Sequence, residues 1–343
     1  MLPVSVMERL WYGRAPAWQR ALATLVLGPA SLVYGSVIAA RNALFDAGLL
    51  RVHRIEGLQV VSVGNVVVGG SGKTPLVIFL SQWALAAGHR VAVLSRGYGR
   101  VGRKPLDFDA SALPGAHLCG DEPRLIARRA PGARLFVDAD RVAAAHRALA
   151  AGCTVAVLDD GFQHRRLGRD ADVVIDLPEA STAALPWGPG REFSAGKRRA
   201  TVVWNGQGAD DPRGRLLVTG VRGGDGSLVT LAGRPVIALT GIARPERFLA
   251  TLAGLGAQVV GVERFPDHHR FSAKELERVR AHARRHQALV VTTEKDKERL
   301  PPEFDVAVVE TALEVAGGLE TLARAVGWPS ACAPRPSMEK GPP

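Results

Sequence analysis

The chain has 343 residues, 47% of them hydrophobic, which is ample for buried cores in about two domains and excludes wholesale disorder. Its formal charge of +11 points to a polyanionic partner, and with only 7 lysines among 44 basic residues the excess is arginine, which suits phosphate and carboxylate. No dense basic run or RNA-type aromatic motif points to nucleic acid, and the widely spaced Cys119, Cys153 and Cys332 exclude a zinc ribbon or disulfide framework.

Ala21 to Ala40 carries no charge and is bracketed by Arg20 and Arg41. As one helix it would be about 30 Å long, the thickness of a bilayer core. Gly28, Pro29 and Gly35 interrupt it, while Arg9, Arg14 and Arg20 interleave with Trp11, Tyr12 and Trp18 ahead of it. Basic and aromatic side chains together favour the headgroup layer. A spanning helix, a helical hairpin docked on the protein and an interfacial helix pair all fit; the interfacial pair is preferred, because basic flanks on both sides give no orientation for a span. Residues 1–50 are therefore expected to be a membrane-associating helical segment.

The apolar run Val60 to Val68 reads as a strand and Pro75 to Ala87 as a helix. Between them lies Gly69-Gly70-Ser71-Gly72-Lys73-Thr74. Glycines let backbone N–H groups converge on phosphate oxygens, and the helix N-terminus adds its positive end. Lys73 would reach the β- and γ-phosphates and Thr74 would offer its hydroxyl to Mg²⁺. Val67 stands where the strict P-loop pattern wants glycine.

Strand Val91 to Leu94 runs into Ser95-Arg96-Gly97-Tyr98-Gly99-Arg100, and Asp121-Glu122-Pro123 opens a helix through Arg129. Helix Arg141 to Ala151 precedes strand Thr154 to Leu158, which ends in Asp159-Asp160. A carboxylate there can hold Mg²⁺ beside the phosphate cradle. Strands alternating with helices predict a mostly parallel sheet covered on both faces. Leu216 to Val221 and Leu228 to Leu231 flank Gly223-Gly224-Asp225-Gly226, the signal of a hairpin joining two lobes.

A second α/β series follows: strand Val236 to Leu239, helix Pro245 to Leu255, strand Gln258 to Val262, helix Ala273 to His286 with Ser272 and Glu275 as a capping box, and strand Ala288 to Thr292. The expected organisation is a P-loop core at 51–213, a two-stranded linker at 214–233, a smaller C-terminal α/β lobe at 234–330 and a disordered tail at 331–343. Phosphoryl transfer to an alcohol also needs a group to accept the hydroxyl proton. Asp121 is one candidate, and an N-cap beside Pro123 is its structural alternative; spacing does not choose. Asp267-His268-His269 is a second polar cluster, without further ligands at metal-site spacing.

Taken in order, these segments resemble the tetraacyldisaccharide 4′-kinase family over about Leu27 to Asp296. The resemblance rests on Ser62-Val63-Gly64-Asn65 leading into the glycine-rich turn and on Ser95-Arg96-Gly97-Tyr98-Gly99. Gly120-Asp121-Glu122-Pro123 and Asp159-Asp160-Gly161-Phe162-Gln163-His164-Arg165 follow. Thr240-Gly241-Ile242, Phe265-Pro266-Asp267-His268 and Thr293-Glu294-Lys295-Asp296 complete the set. It implies a P-loop NTPase-type α/β/α sandwich joined by a two-stranded linker to a smaller α/β/α lobe, with a membrane-associating N-terminal element. It further implies ATP and Mg²⁺ as cofactors, and phosphorylation of an acylated glucosamine disaccharide 1-phosphate at its 4′-hydroxyl, at the cytoplasmic face of the inner membrane. No obligate protein partner is implied.

By the same resemblance Asp121 and His268 form the activating dyad. Gly69, Gly70, Ser71, Gly72, Lys73 and Thr74 bind nucleotide, and Thr74, Asp159 and Glu122 serve the metal. Asp160, Gln163, His164, Arg96 and Tyr98 line the sugar-phosphate site. The chain departs from the family at Trp187, Gly190, Phe193 and Arg244, and chemistry alone assigns no role to Lys295. The alternative is a membrane-associated partitioning or carrier ATPase, although such proteins carry a signature lysine where this chain has Val68.

Overall fold

The computed structural model describes residue 11 and residues 16–70, 72–177 and 183–336. Ser71 of the glycine-rich turn, Arg9, Tyr12 and Arg14 of the N-terminal segment and residues 337–343 of the expected tail lie outside the described residues.

Helix α1 (Ala17–Asp46) is one continuous element with Pro29 inside it, so the expected interfacial helix pair is corrected to a single helix. A proline removes one backbone donor, a loss the 30 residues absorb. Gly35 is a packing device: a Cβ there would enter the Phe193 ring. Ser31, Gly35 and Phe45 are buried against the rest of the protein, while Leu25, Val26, Leu32, Val33 and Val37 stand outward and exposed. By length and composition this helix is apolar enough to cross a membrane.

The first sheet has seven strands in the order β3-β4-β2-β5-β1-β6-β7. They are β1 (Gln59–Asn65), β2 (Val91–Ser95), β3 (Leu106–Phe108), β4 (Arg134–Val137), β5 (Val155–Asp159), β6 (Ala171–Ile175) and β7 (Val202–Trp204). All neighbours are parallel except β3 with β4. Parallel pairing sends the ends of β1, β2, β4 and β5 to one edge, and the register sets Val63 opposite Asp159. Helix α2 (Lys73–Ala86) covers one face, and Leu76, Leu80 and Trp83 join Val61, Val93 and Val157 in its core. Two short helices follow β3: α3 (Ala116–Cys119) and α4 (Asp121–Arg129). Helix α5 (Arg141–Ala150) covers the opposite face, Asp140 capping its start through the N–H groups of Val142 and Ala143.

The second sheet has five strands in the order β10-β9-β11-β12-β8. These are β8 (Arg213–Arg222), β9 (Pro235–Thr240), β10 (Gln258–Arg264), β11 (Leu289–Thr293) and β12 (Ala307–Gly317). Helix α6 (Pro245–Gly254) buries Phe248 and Leu252 on one face, and α7 (Ala273–Arg285) buries Leu276 and Val279 on the other. The Ser272–Glu275 capping box is present.

Three boundaries differ from expectation. The Gly223–Gly226 turn forms, but Leu228 makes only a single bridge to Arg222, and the long antiparallel partner of β8 is β12. An 11-residue strand offers far more ladder than four residues beside a turn. The chain then leaves the second lobe early: α9 (Leu319–Val326) packs Leu322, Ala323 and Val326, with Trp328, into the first core. Trp83 fixes this return, its Nε1 donating to the Pro329 carbonyl at 2.8 Å and its ring edge-on to Trp328. Full burial of such a side chain contributes roughly 3–5 kcal/mol. Cys332 and Ala333, expected in the disordered tail, pack on that core instead.

Candidate active site

The glycine-rich loop leaves β1 at Asn65 and enters α2 at Lys73. Gly72, at φ +82°, takes the left-handed step that starts the helix, a conformation that strains any side-chain-bearing residue. Gly70 faces the second lobe; a Cβ on it would lie 3.4 Å from Ala243 and 4.0 Å from the Arg244 side chain. Lys73 Nζ is 3.3 Å from Asn65 Oδ1 and 3.4 Å from Asp160 Oδ1. Arg191 grips both Asp160 oxygens at 2.7 and 2.8 Å. Burial alone would raise the Asp160 carboxyl, but Lys73 and Arg191 hold it below its ordinary value.

Asp159 ends β5 beside this loop and is buried. Its Oδ2 accepts from Ser95 Oγ at 2.9 Å, while Oδ1 has no hydrogen-bond partner. Burial, then the charges of Glu122 and Asp160, push its carboxyl up to about 7. Raised above its unfolded value, this group favours the fold at low pH and loses that contribution as pH rises from about 4 to about 7. Asp159→Asn should therefore stabilise the nucleotide-free protein by on the order of a few kcal/mol at pH 8 and by far less at pH 4, measured by urea unfolding. Equal effects at both pH values would contradict the raised carboxyl.

Arg141, buried at the start of α5, lies near Asp159, Asp160 and Arg96. Burial and the Arg141 charge push the His164 imidazole down to about 4, so it is neutral at pH 7. Gln163 acts as a strut, its Nε2 donating to the Asn65 carbonyl at 2.8 Å and to Glu192 Oε1 at 2.9 Å.

Asp121 opens α4 and His268 comes from the second lobe on the loop between β10 and α7. His268 Nδ1 lies 3.0 and 3.1 Å from the two Asp121 oxygens, and Tyr98 sets its ring 5.0 Å from the imidazole. Although burial raises the Asp121 carboxyl, the His268 hydrogen bond and then Lys295 bring it below its ordinary value. Lys295, from short helix α8 (Glu294–Lys297), donates to Glu122 at 2.9 Å, lies 3.3 Å from Asp267 and reaches within 3.4 Å of His268 Nε2. Burial would lower its ammonium, but Glu122, Asp267 and Asp121 keep it above its ordinary value. A cavity of about 320 Å³ opens beside the pair, lined by Tyr98, His117, Asp121, Arg124, His268 and Arg270 among others. Asp267 and His268 thus share Lys295, whereas His269 meets Glu275 at 3.1 Å.

The structure brings Lys73, Asp159 and Asp160 to one sheet edge and sets Asp121, His268, Glu122 and Tyr98 beside it. His164 and Arg96 stand toward Arg141 instead. Sequence reasoning missed Arg141, Arg191 and Arg299. Only the second had a signal, its place beside Gly190, one of the departures from the family pattern. Of the departures from the family pattern, Phe193 packs on Gly35, and Gly190 sits where a Cβ would meet the Ala183 carbonyl at 2.7 Å.

A glycine-rich strand-to-helix loop and a carboxylate on one lobe, with an imidazole from the other lobe meeting that carboxylate, is the architecture of a P-loop phosphotransferase. The sequence pattern of the tetraacyldisaccharide-1-P 4′-kinase family matches residues 23–326. The tetraacyldisaccharide 4′-kinase of Anaeromyxobacter sp. (strain Fw109-5) is 44% identical over 331 residues, covering 87% of this chain and 88% of that protein. The enzyme of the same name from Syntrophus aciditrophicus (strain SB) is 36% identical over 347 residues, covering 90% and 92%. Among solved structures, LpxK from Aquifex aeolicus in complex with ATP superposes with a TM-score of 0.75 at 28% identity, covering 89% of this chain and 98% of its own. The chain belongs to the tetraacyldisaccharide-1-P 4′-kinase family.

Proposed function

We propose that this chain transfers the γ-phosphoryl group of ATP to the 4′-hydroxyl of a tetraacyldisaccharide 1-phosphate, making lipid IVA in lipid A biosynthesis. The observation that carries this is the 3.0 Å contact between Asp121 and His268, which joins the two lobes beside Lys73 and the acidic end of β5. The acceptor hydroxyl gives its proton to the Asp121–His268 unit as its oxygen bonds to phosphorus, and the bond to the ADP oxygen breaks. Lys73 offsets charge on the γ-phosphoryl oxygens. Tyr98 offers an aromatic face to a sugar ring next to the imidazole, while Arg96, Arg141 and neutral His164 form a donor-rich wall for the acceptor's phosphate. Asp160 and Gln163 shape the floor between them.

The residues present suit a divalent cation, since the unpartnered buried oxygen of Asp159 lies within the fields of Glu122 and Asp160. Thr74, Asp159 and Glu122 would hold Mg²⁺, which when bound neutralises charge across the β- and γ-phosphates. Labelled ATP offered with the acylated disaccharide tests the whole assignment. Label should appear at the 4′-position, and ATP turnover should require the lipid. Turnover indifferent to lipid would point to a partitioning-type ATPase instead.

The acceptor's acyl chains belong in a bilayer, and α1 supports a seat there, held peripherally or monotopically at the cytoplasmic face of the inner membrane. Its outward residues Leu25 and Val33 are 76% and 66% exposed. Its inward side meets the loop that carries Arg191: Tyr34 Oη donates to the Arg191 carbonyl at 3.1 Å, and Asn42 Nδ2 to Glu192 at 3.0 Å. Leu25→Asp with Val33→Asp should cut flotation with anionic vesicles by about tenfold or more while sparing turnover of detergent-dispersed acceptor. Unchanged flotation would remove the membrane role of that face.

A further inference from the structure

We propose that Arg299 is a positioning residue for the Asp121–His268 unit: a buried guanidinium that fixes the loop carrying the imidazole while facing the carboxylate of the other lobe. This deepens the kinase assignment and depends on that unit accepting the hydroxyl proton.

Arg299 lies two residues beyond α8, and its side chain is 5% exposed. Its Nη1 donates to the His269 carbonyl at 3.1 Å and its Nη2 to the Gly241 carbonyl at 2.9 Å. Its Nη2 also pairs with Asp296, which is fully buried and accepts from the Gly241 N–H and from Thr293 Oγ1. The His269 carbonyl is one residue from His268, whose φ of +60° places it in the left-handed region that favours glycine. A loop held in that conformation needs fixed acceptor geometry around it, which the planar fork of a guanidinium provides. The remaining donor, Nε, is buried without a hydrogen-bond partner and lies 3.5 Å from Asp121 Oδ2. One side chain therefore addresses both members of a pair drawn from different lobes.

The test compares Arg299→Gln and Arg299→Lys, full length, with labelled ATP and detergent-dispersed acceptor. Arg299→Gln should lower kcat roughly 10- to 100-fold and leave KM for ATP unchanged. Arg299→Lys keeps the charge but serves fewer acceptors, so it should recover part of kcat. In an Asp121→Asn background, Arg299→Gln should cost less than about threefold more. A loss in Arg299→Gln that falls on KM for ATP with kcat at the parental value, or its full separate loss in that background, overturns the proposal in favour of a purely structural arginine. If Arg299→Gln does not fold, Arg299→Lys decides alone: the same full loss from it in the parental and Asp121→Asn backgrounds is equally fatal. A parental rate for Asp121→Asn by itself would instead overturn the dyad assignment, a distinguishable failure.

Discussion

Asp121→Asn and His268→Ala should each slow phosphoryl transfer by about 10²-fold or more, and the double variant should be no slower than the poorer single one. The expectation follows from shared geometry, since both Asp121 oxygens lie within 3.1 Å of one imidazole nitrogen. A carboxylate so placed makes Nδ1 the donor and keeps the ring aligned, and the ring in turn helps keep the carboxylate ionised. Losing either dismantles the same device. Asp121 also sits in the first turn of α4, where the helix dipole favours its negative charge. Asparagine preserves its shape, so the fold should survive and the loss should fall on kcat. The measurement is single-turnover transfer of label at saturating ATP. Losses that multiply in the double variant would show two separate roles and dissolve the unit.

How much of this site could be read from the chain depends on how local each signal was. The glycine-rich turn, the strand ending in Asp159 and the Ser272 capping box are contiguous motifs whose meaning needs only a few neighbours. Strand-helix alternation conveyed the layered architecture for the same reason. What escaped was set by tertiary partners. Nothing local in Glu294-Lys295-Asp296-Lys297-Glu298-Arg299 names its partners, yet Glu294 meets Arg129, Glu298 meets Arg124 and Arg128, and Lys295 meets Glu122. Together these residues of α4, of α8 and of Glu298 just beyond it zip the lobes across more than 160 positions of sequence. Arg141 looked like an ordinary helix-start residue because only the parallel sheet brings β2 and β5 to its side. Strand β12 failed to register because its outer half pairs with β8 as a half-exposed ribbon and lacks a buried strand's continuous apolar pattern. In α1, Pro29 and two glycines read as breaks, whereas Gly35 is small to let Phe193 approach.

Lys73→Ala should lower transfer by about 10³-fold while leaving a folded protein, because the side chain bears charge toward phosphate and fills little core. Its ammonium lies 3.4 Å from Asp160, so in the nucleotide-free protein it is held by the acidic end of the same sheet edge that would face the triphosphate. A phosphate oxygen entering the cradle competes for that ammonium. Arg191 retains Asp160 when the lysine moves or is removed, through contacts of 2.7 and 2.8 Å. The stability cost of Lys73→Ala should therefore be only ~1 kcal/mol at pH 7, since Asp160 is about a third exposed and screened. Its sign with pH follows from the lowered carboxyl. Stabilisation by the lysine is present above the ordinary value of 3.8 and fades as pH falls through the lower folded value. Urea midpoints of parent and variant should thus converge as pH falls below 3.8, and the transfer defect should persist wherever both proteins are folded. Retention of a tenth of the parental rate would mean that phosphate charge is met elsewhere, with Arg244 across from Gly70 the first residue to exchange.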